Sequence, residues 1–276
     1  MRLLKSLLIA ILVALPVAST YAPPAARTVS HPAPYSSTLR IMTYNIHVGV
    51  GMDKQLDLAR IAAVIKAQHP DLVGLQEVDR GVKRTGGVDE IAELARLTGM
   101  EFAFAFNLPF QGGQYGVAIL SRRPILATEH RHFKNLREAE RRGFIRAEVK
   151  VGGRLVNFVT THLDYQYDDG RVFEVEQLLE ALKDVKGTLI VVGDFNDVPG
   201  GGAYRLMRPD FDDAWSVTRS NEDGFSYPAD KPAKRIDYIF ARSTDRVRVN
   251  RTWIVNTLAS DHLPVIADLE LGKPHS

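Results

Sequence analysis

The sequence predicts a single layered α/β domain, two mixed or antiparallel sheets packed face to face with helices outside. Three observations predict it. Short apolar runs alternate with helical stretches from Leu39 onward, the pattern of a layered α/β protein. Several strands follow one another with only short hairpins between them, a connection open to antiparallel strands and closed to parallel ones. No linker-like segment or internal repeat interrupts residues 39–271, so one domain accounts for them.

The elements follow in order. "LRIMTYNI" (39–46) reads as a strand. "LDLARIAAVIKAQ" (56–68) sets Leu58, Ile61, Ala62 and Ile65 at helical spacing, with Asp57 as a cap and Pro70 as a stop. "DLVGLQEV" (71–78) is the next strand, and "DEIAELARLTG" (89–99) a helix ended by Gly99. Strands are expected over 102–107, 115–121, 125–132, 143–151 and 154–161, the last two joined by the Gly-Gly turn at 152–153. A helix over 170–185 and a strand over 187–194 come next. Strands over 235–242, 246–255 and 263–271 complete the chain.

Composition narrows the class. Of 276 residues, 45% are hydrophobic and 25% charged, ordinary for a globular protein. The absence of cysteine excludes disulfides, thiolate metal sites and a lipid-modified cysteine anchor. "MRLLKSLLIAILVALPVAST" opens with Arg2 and Lys5, then an apolar stretch from Leu7 to Leu15, then small residues. That is the layout of a secretory signal peptide, expected over 1–22. The stretch is short against the about 20 residues of a bilayer span; an uncleaved N-terminal membrane anchor is the alternative. A Pro-, Ala- and Ser-rich linker is expected over 23–38 and a tail over 272–276. The protein is accordingly expected to be secreted or periplasmic. Without residues 1–22, Lys+Arg falls from 35 to 33 and equals Asp+Glu at 33. A duplex-coating nucleic-acid binder is normally clearly basic. The basic clusters at 131–146 and 242–251 read as solvated faces.

Polar residues gather at strand ends. Asn45, Glu77, His162, Asp194 and Asn196 each close an apolar run, Asp237 opens one, and Asp261 and His262 precede the last. Six such ends suggest a common site on one rim, held by rigid strands. Asp, Glu and Asn oxygens suit a hard cation such as Mg²⁺ or Mn²⁺. Several carboxylates converge only around a cation or a shared proton. Histidines beside carboxylates supply proton transfer near neutral pH. Together these groups describe metal-assisted hydrolysis of a phosphate ester.

The ordered set "MTYNIH", "LQEVD", "YGVAILSRRP", "THLD", "GDFND", "RIDYIF" and "SDHLPV" resembles the endonuclease/exonuclease/phosphatase superfamily, of deoxyribonuclease-I-like fold, across about residues 39–271. The resemblance implies a four-layer α/β sandwich with two central mixed sheets. It implies that Glu77 is the principal metal ligand, with Asn45 beside it and Asp261 as a metal-linked carboxylate. It implies that Asp194 orients or activates the attacking water, and that Asn196 holds water or a phosphoryl oxygen. His262 matches the essential histidine, its tautomer set by Asp237. His162 matches the second histidine, which binds the phosphate or protonates the leaving oxygen. One departure stands out. Pancreatic-type deoxyribonucleases support that second histidine with a glutamate, whereas the matching "GGQYGVAIL" has Gln114 and Tyr115 and no carboxylate. Tyr115 either touches substrate or packs at its strand start.

The loop "DRGVKRTGGVDE" (79–90) leaves directly from the Glu77 strand and carries Arg80, Lys83 and Arg84 between glycines. Arg84, with Arg80, is expected to bind an anionic part of the substrate; a solvent-exposed loop is the plainer reading. "QEVDRGVKRTGGVDE" resembles a bacterial branch related to proteins that remodel inositol-phosphate lipid anchors, which favours a small or lipid phosphodiester. Arg146 would share a strand face with Glu148, as a structural ion pair. The expected activity is a divalent-metal-dependent phosphodiesterase, with a secreted nuclease and a phospholipid or inositol-lipid hydrolase as alternatives. The expected partners are a phosphodiester substrate, nucleic acid or phospholipid headgroup, with peripheral membrane contact and no obligate protein partner. A binding protein that kept the fold and lost the chemistry would lack the rim residues, and they are all present.

Overall fold

A computed structural model describes residues 38–272. The predicted signal peptide over 1–22, the linker up to residue 37 and the tail from 273 lie outside the described residues. Twelve strands and five α-helices are described. The first half contains β1 (Thr38–Asn45), α1 (Leu58–Gln68), β2 (Leu72–Arg80), α2 (Glu90–Thr98), β3 (Glu101–Phe110), β4 (Gly113–Ser121) and β5 (Ala127–His132). The second contains β6 (Gly143–Val151), β7 (Arg154–His162), α3 (Asp168–Leu182), β8 (Thr188–Asp194), α4 (Gly202–Met207), β9 (Phe211–Asp213), α5 (Ala214–Thr218), β10 (Asp237–Arg242), β11 (Val247–Ile254) and β12 (Val265–Leu271). Every strand and helix expected from the sequence is present, with ends shifted by up to about three residues. The short α4, β9 and α5 are additional. They are too brief to leave a periodic signature.

Two six-stranded sheets form, in the orders β11-β12-β1-β2-β4-β3 and β5-β6-β7-β8-β10-β9. Each is mixed, with one parallel pair: β1 with β2 in the first and β7 with β8 in the second. Alternation along the strands explains the layers. Leu39 and Ile41 face the second sheet and meet Ile190, Val192 and Ile239. Met42 and Tyr44, on the opposite face, meet Ile61, Ile65, Ile91 and Leu94 of α1 and α2. The outer face of the second sheet likewise covers Val191, Tyr238 and Phe240 with Val175, Leu178 and Leu182 of α3 and Met207 of α4. Strands buried on both faces therefore read as continuous apolar runs, and the result is the expected four-layer sandwich.

Local chemistry ends the elements where the sequence predicts. The Asp57 carboxylate accepts from Arg60 N at 2.9 Å and caps α1. Asp89 does the same for α2 through Ala92 N at 3.2 Å, and Gly99 closes that helix at φ 70°. Gly152 and Gly153 turn the β6–β7 hairpin at φ 57° and 82°, a conformation that glycine adopts without strain.

One polar layer joins the sheets beneath the rim. Gln76 Nε2 donates to Thr160 Oγ1 at 2.8 Å in the other sheet and to Thr43 Oγ1 at 3.2 Å. The sheets approach closely here because position 74 is glycine. A Cβ there would stand 2.4 Å from Val192 Cγ2 and 2.7 Å from Thr160 Oγ1. This buried bridge fixes how the two rims meet one layer higher.

Candidate active site

The rim is made by strand ends brought level by pairing. Parallel pairing sets Asn45 beside Gln76 in the first sheet and His162 beside Asp194 in the second. Antiparallel pairing sets Asp237 opposite Asp194. Glu77 reaches the same place through a bulge. Between Leu75 and Val78 the β2–β4 register slips, and Glu77 sits at φ 55°. A non-glycine residue held at positive φ is strained, and bulges of this kind re-aim a side chain. Asn196, just past β8, is held at φ 49°, a region asparagine tolerates better than most residues.

Asn45 ties the two sheets' carboxylates together. Its Nδ2 donates to Glu77 Oε1 at 3.0 Å and to Asp194 Oδ2 at 3.1 Å. Its Oδ1 accepts from His47 N at 3.0 Å. A backbone N–H only donates, so the amide orientation is fixed. Asn45 thus bridges the Glu77 and Asp194 carboxylates through its nitrogen, while its oxygen, with one lone pair used by His47 N, faces away from them.

A buried chain of contacts joins Asp237 and Asp194 of the second sheet to His262, which precedes β12 of the first. His262 Nδ1 faces Asp237 Oδ2 at 2.9 Å, and its Nε2 lies 3.7 Å from Asp194 Oδ2. Ser226 Oγ donates to the same Asp237 oxygen at 2.6 Å. Burial opposes a charge on His262, but Asp237 and Asp194 outweigh it and raise its pKa above the usual imidazole range. Burial is also the largest influence on Asp194 and raises its pKa; the His262 charge works against that, and Asp237 adds to it. Asn196 N donates to Asp194 Oδ1 at 2.9 Å.

His162 has a different partner from any expected. The missing carboxylate is indeed missing, and Arg142 Nη1 stands 2.8 Å from His162 Nδ1. Burial, then Arg142, then His262 lower the His162 pKa well below its ordinary value. Asn196 Nδ2 lies 3.1 Å from His162 Nε2 and donates to Leu163 O at 3.0 Å.

The loop after Glu77 splits its two arginines. Arg84 donates through Nε and Nη2 to the buried Asp79 carboxylate at 2.7 and 2.8 Å. Its guanidinium lies 4.5 Å from the Phe110 ring centre and 5.3 Å from that of Tyr115. Both Arg84 and Tyr115 line the cavity, and Tyr115 is largely buried beneath the arginine. Arg80 sits apart from that cavity. It is paired with Asp89 at 2.7 Å and lines a separate shallow groove with Pro109 and Gln114. Along a strand, adjacent side chains take opposite faces; Asp79 points inward and Arg80 outward.

A cavity of about 820 Å³ opens over this rim. Glu77, His162, Asp194, Asn196, Asp261 and His262 line it, with Leu108 and Phe110 of β3 and with Val198 and Lys234 from segments next to β8 and β10. Asp261 lines the cavity, with Ser260 Oγ 3.4 Å from its carboxylate. Sequence reasoning missed Arg142, which the basic cluster at 131–146 concealed; only 2% of it is exposed. The hairpin register carried a signal for it. Phe144 pairs with Thr161, so continuing the register sets Gly143 opposite His162 and Arg142 one residue beyond it. Ser226 lies between expected elements and carried no signal. Arg146 forms the expected structural pair with Glu148, at 2.9 Å.

The donor set fits a divalent cation. The carboxylates of Glu77, Asp194 and Asp261 line one cavity. Ligand atoms of Asp194, Asp237 and His262 lie within 4.8 Å of one another, all buried. Such oxygen-rich clusters suit hard cations.

Known proteins agree with this geometry. The sequence model described as "Endonuclease/Exonuclease/phosphatase family" matches residues 42–262. The chain is 25% identical over 250 residues to YbhP of Escherichia coli (strain K12), covering 85% of this chain and 97% of that one. It resembles the crystal structure of an endonuclease/exonuclease/phosphatase from Beutenbergia cavernae at 28% identity and a TM-score of 0.69, over 85% of this chain and 72% of that one. It shares the fold of the mannosyl-6-phosphatase Bt3783 of Bacteroides thetaiotaomicron at 17% identity and a TM-score of 0.69, over 84% and 99%.

Proposed function

The chain belongs to the endonuclease/exonuclease/phosphatase family, and from that premise we propose that it is a metal-dependent phosphodiesterase. Members of this family are typically hydrolases of phosphoester bonds and generally depend on a divalent metal. The observation that carries the reading is the Asp237–His262–Asp194 chain, at 2.9 and 3.7 Å, whose His262 and Asp194 line a cavity of about 820 Å³. A diester has a substituent on each side of its phosphorus, and a cavity bordered by both sheets, by Leu108 and Phe110 from one and Val198 and Lys234 next to the other, offers each a surface.

Mg²⁺ or Mn²⁺ would be held by Glu77, with the Asp261 and Asp194 carboxylates facing the same cavity, and when bound it neutralises charge on the phosphoryl oxygens. Asp194 orients the water that attacks the phosphorus in line. His262 exchanges the proton through Nε2 while Asp237 holds Nδ1. Asn196 and His162 face the phosphoryl oxygen as neutral donors. Arg84 offers its remaining Nη1 to an anionic group on the Phe110 flank. The near-neutral mature chain favours a small or lipid diester over a duplex.

The test is hydrolysis by purified protein with Mg²⁺ or Mn²⁺ and with chelator. Plasmid DNA, RNA, phosphatidylinositol, sphingomyelin, a chromogenic diester and the matching monoester are compared. Metal-dependent turnover of a diester is expected. Turnover of the monoester alone would overturn the reading.

A further inference from the structure

The Arg142–His162 contact determines what His162 is able to do. A guanidinium has only donors and stays charged. Arg142 is buried, and its Nη1 faces His162 Nδ1 at 2.8 Å. The contact is favourable only if Nδ1 carries no proton. A neutral imidazole has one bare nitrogen, so the ring proton must sit on Nε2. Asn196 competes less well for the proton-free nitrogen: one of its two amide N–H groups goes to Leu163 O at 3.0 Å, and the other is a neutral donor at 3.1 Å, set against a charged donor at 2.8 Å. The remaining acceptor near Nε2 is Asp194 Oδ2, at 3.5 Å, from a residue that lines the cavity. A second proton on the ring would have to enter at Nδ1, head-on against the guanidinium. Glu140 Oε1 lies 3.3 Å from the same Nη1.

We propose that Arg142 is a positioning residue that locks His162 as a permanent Nε2–H donor, so that His162 holds an anionic oxygen and passes no proton. Proton transfer at this rim is then left to His262, whose partner Asp237 is an acceptor and not a donor. The two histidines differ because one is backed by a carboxylate and the other by a guanidinium. The substrate oxygen rests on the phosphodiesterase reading above. The tautomer does not, and is measured without substrate.

The experiment is ¹⁵N NMR of the imidazoles in the full chain at pH 7, with His162 assigned by its loss in His162→Gln. A bare Nδ1 and a protonated Nε2 are expected; a protonated Nδ1 overturns the proposal. Arg142→Lys, still donor-only, should keep the tautomer and kcat within about 3-fold. Arg142→Met should lose the single tautomer and lower kcat by up to about 10²-fold, the scale of one lost oxyanion donor, with KM changed less. Full kcat in a folded Met variant overturns the role. Should that variant not fold, the wild-type spectrum and the Lys variant decide. Absence of any hydrolysis beside the expected tautomer would refute the phosphodiesterase reading and leave the lock intact.

Discussion

In the first sheet the parallel pair β1–β2 ends in Asn45 and Glu77; in the second the parallel pair β7–β8 ends in His162 and Asp194. The two halves share a backbone device. The helix after each strand sends a buried glutamate to the N–H two residues past the functional side chain. Glu90 of α2 accepts from Asp79 N, and Glu174 of α3 from Asp164 N, both at 2.7 Å. The halves differ in what the frame presents. The first offers a half-buried carboxylate on a strained bulge, open to the cavity. The second offers fully buried groups whose proton affinities are shifted by burial and by one another. An oxygen that takes a cation must be reachable, whereas groups that exchange protons near neutrality need a low-dielectric setting. The same backbone frame thus presents a half-buried carboxylate in one half and buried, mutually shifted groups in the other.

The sharpest way to break this comparison is Glu77→Gln. It should abolish metal-dependent hydrolysis with the fold intact, and equal Mg²⁺ affinity by calorimetry in variant and parent would refute the division of labour. Asp194→Asn and His262→Ala should each lower kcat by at least about 10²-fold. If both act on one water, the double variant should lose little more than either single one. A loss equal to the product of the two would assign them to separate steps.

The shared glutamates sharpen the comparison through stability. Burial raises the Glu90 pKa from 4.5 to about 8, and that of Glu174 to about 7. Between 4.5 and those values the folded chain holds protons that the unfolded chain has released. Stability attributable to each carboxyl therefore falls as pH rises through its window. The thermal midpoint should be higher at pH 5 than at pH 8. Glu90→Gln keeps an acceptor for Asp79 N and should flatten that slope, Glu174→Gln to a smaller extent. A slope unchanged in both variants would mean that neither group is protonated when folded.

The smallest catalytic effect is expected at Arg84. Arg84→Ala should raise KM several-fold for anionic-tailed diesters and leave kcat in place. The effect should shrink with salt, because the partly exposed cation is screened within about 8 Å near physiological ionic strength. It should also lower the thermal midpoint, since Asp79 loses its bidentate partner in a buried place. An unchanged KM on every substrate would leave Arg84 with only that structural role.

The sequence by itself determined the layers, the strands and the rim. Apolar runs buried on two faces, such as 39–46 and 187–194, and helical spacing at 56–68 are local periodicities that need no partner to be read. Polar residues closing those runs marked Glu77, His162, Asp194, Asp237, Asp261 and His262 before any contact was known. Tertiary structure decided what each side chain faces. Arg142 belonged to a basic cluster until the β6–β7 register put it against His162. Asn45 read as an oxygen donor, and the structure turns its nitrogen to Glu77 and Asp194. Arg80 and Arg84, four residues apart on one loop, parted because Asp79 inside and Asp89 outside each required a cation. The reason is that periodicity records which face a residue takes. Donor direction, tautomer and charge pairing arise only when segments distant in the chain come within hydrogen-bond reach.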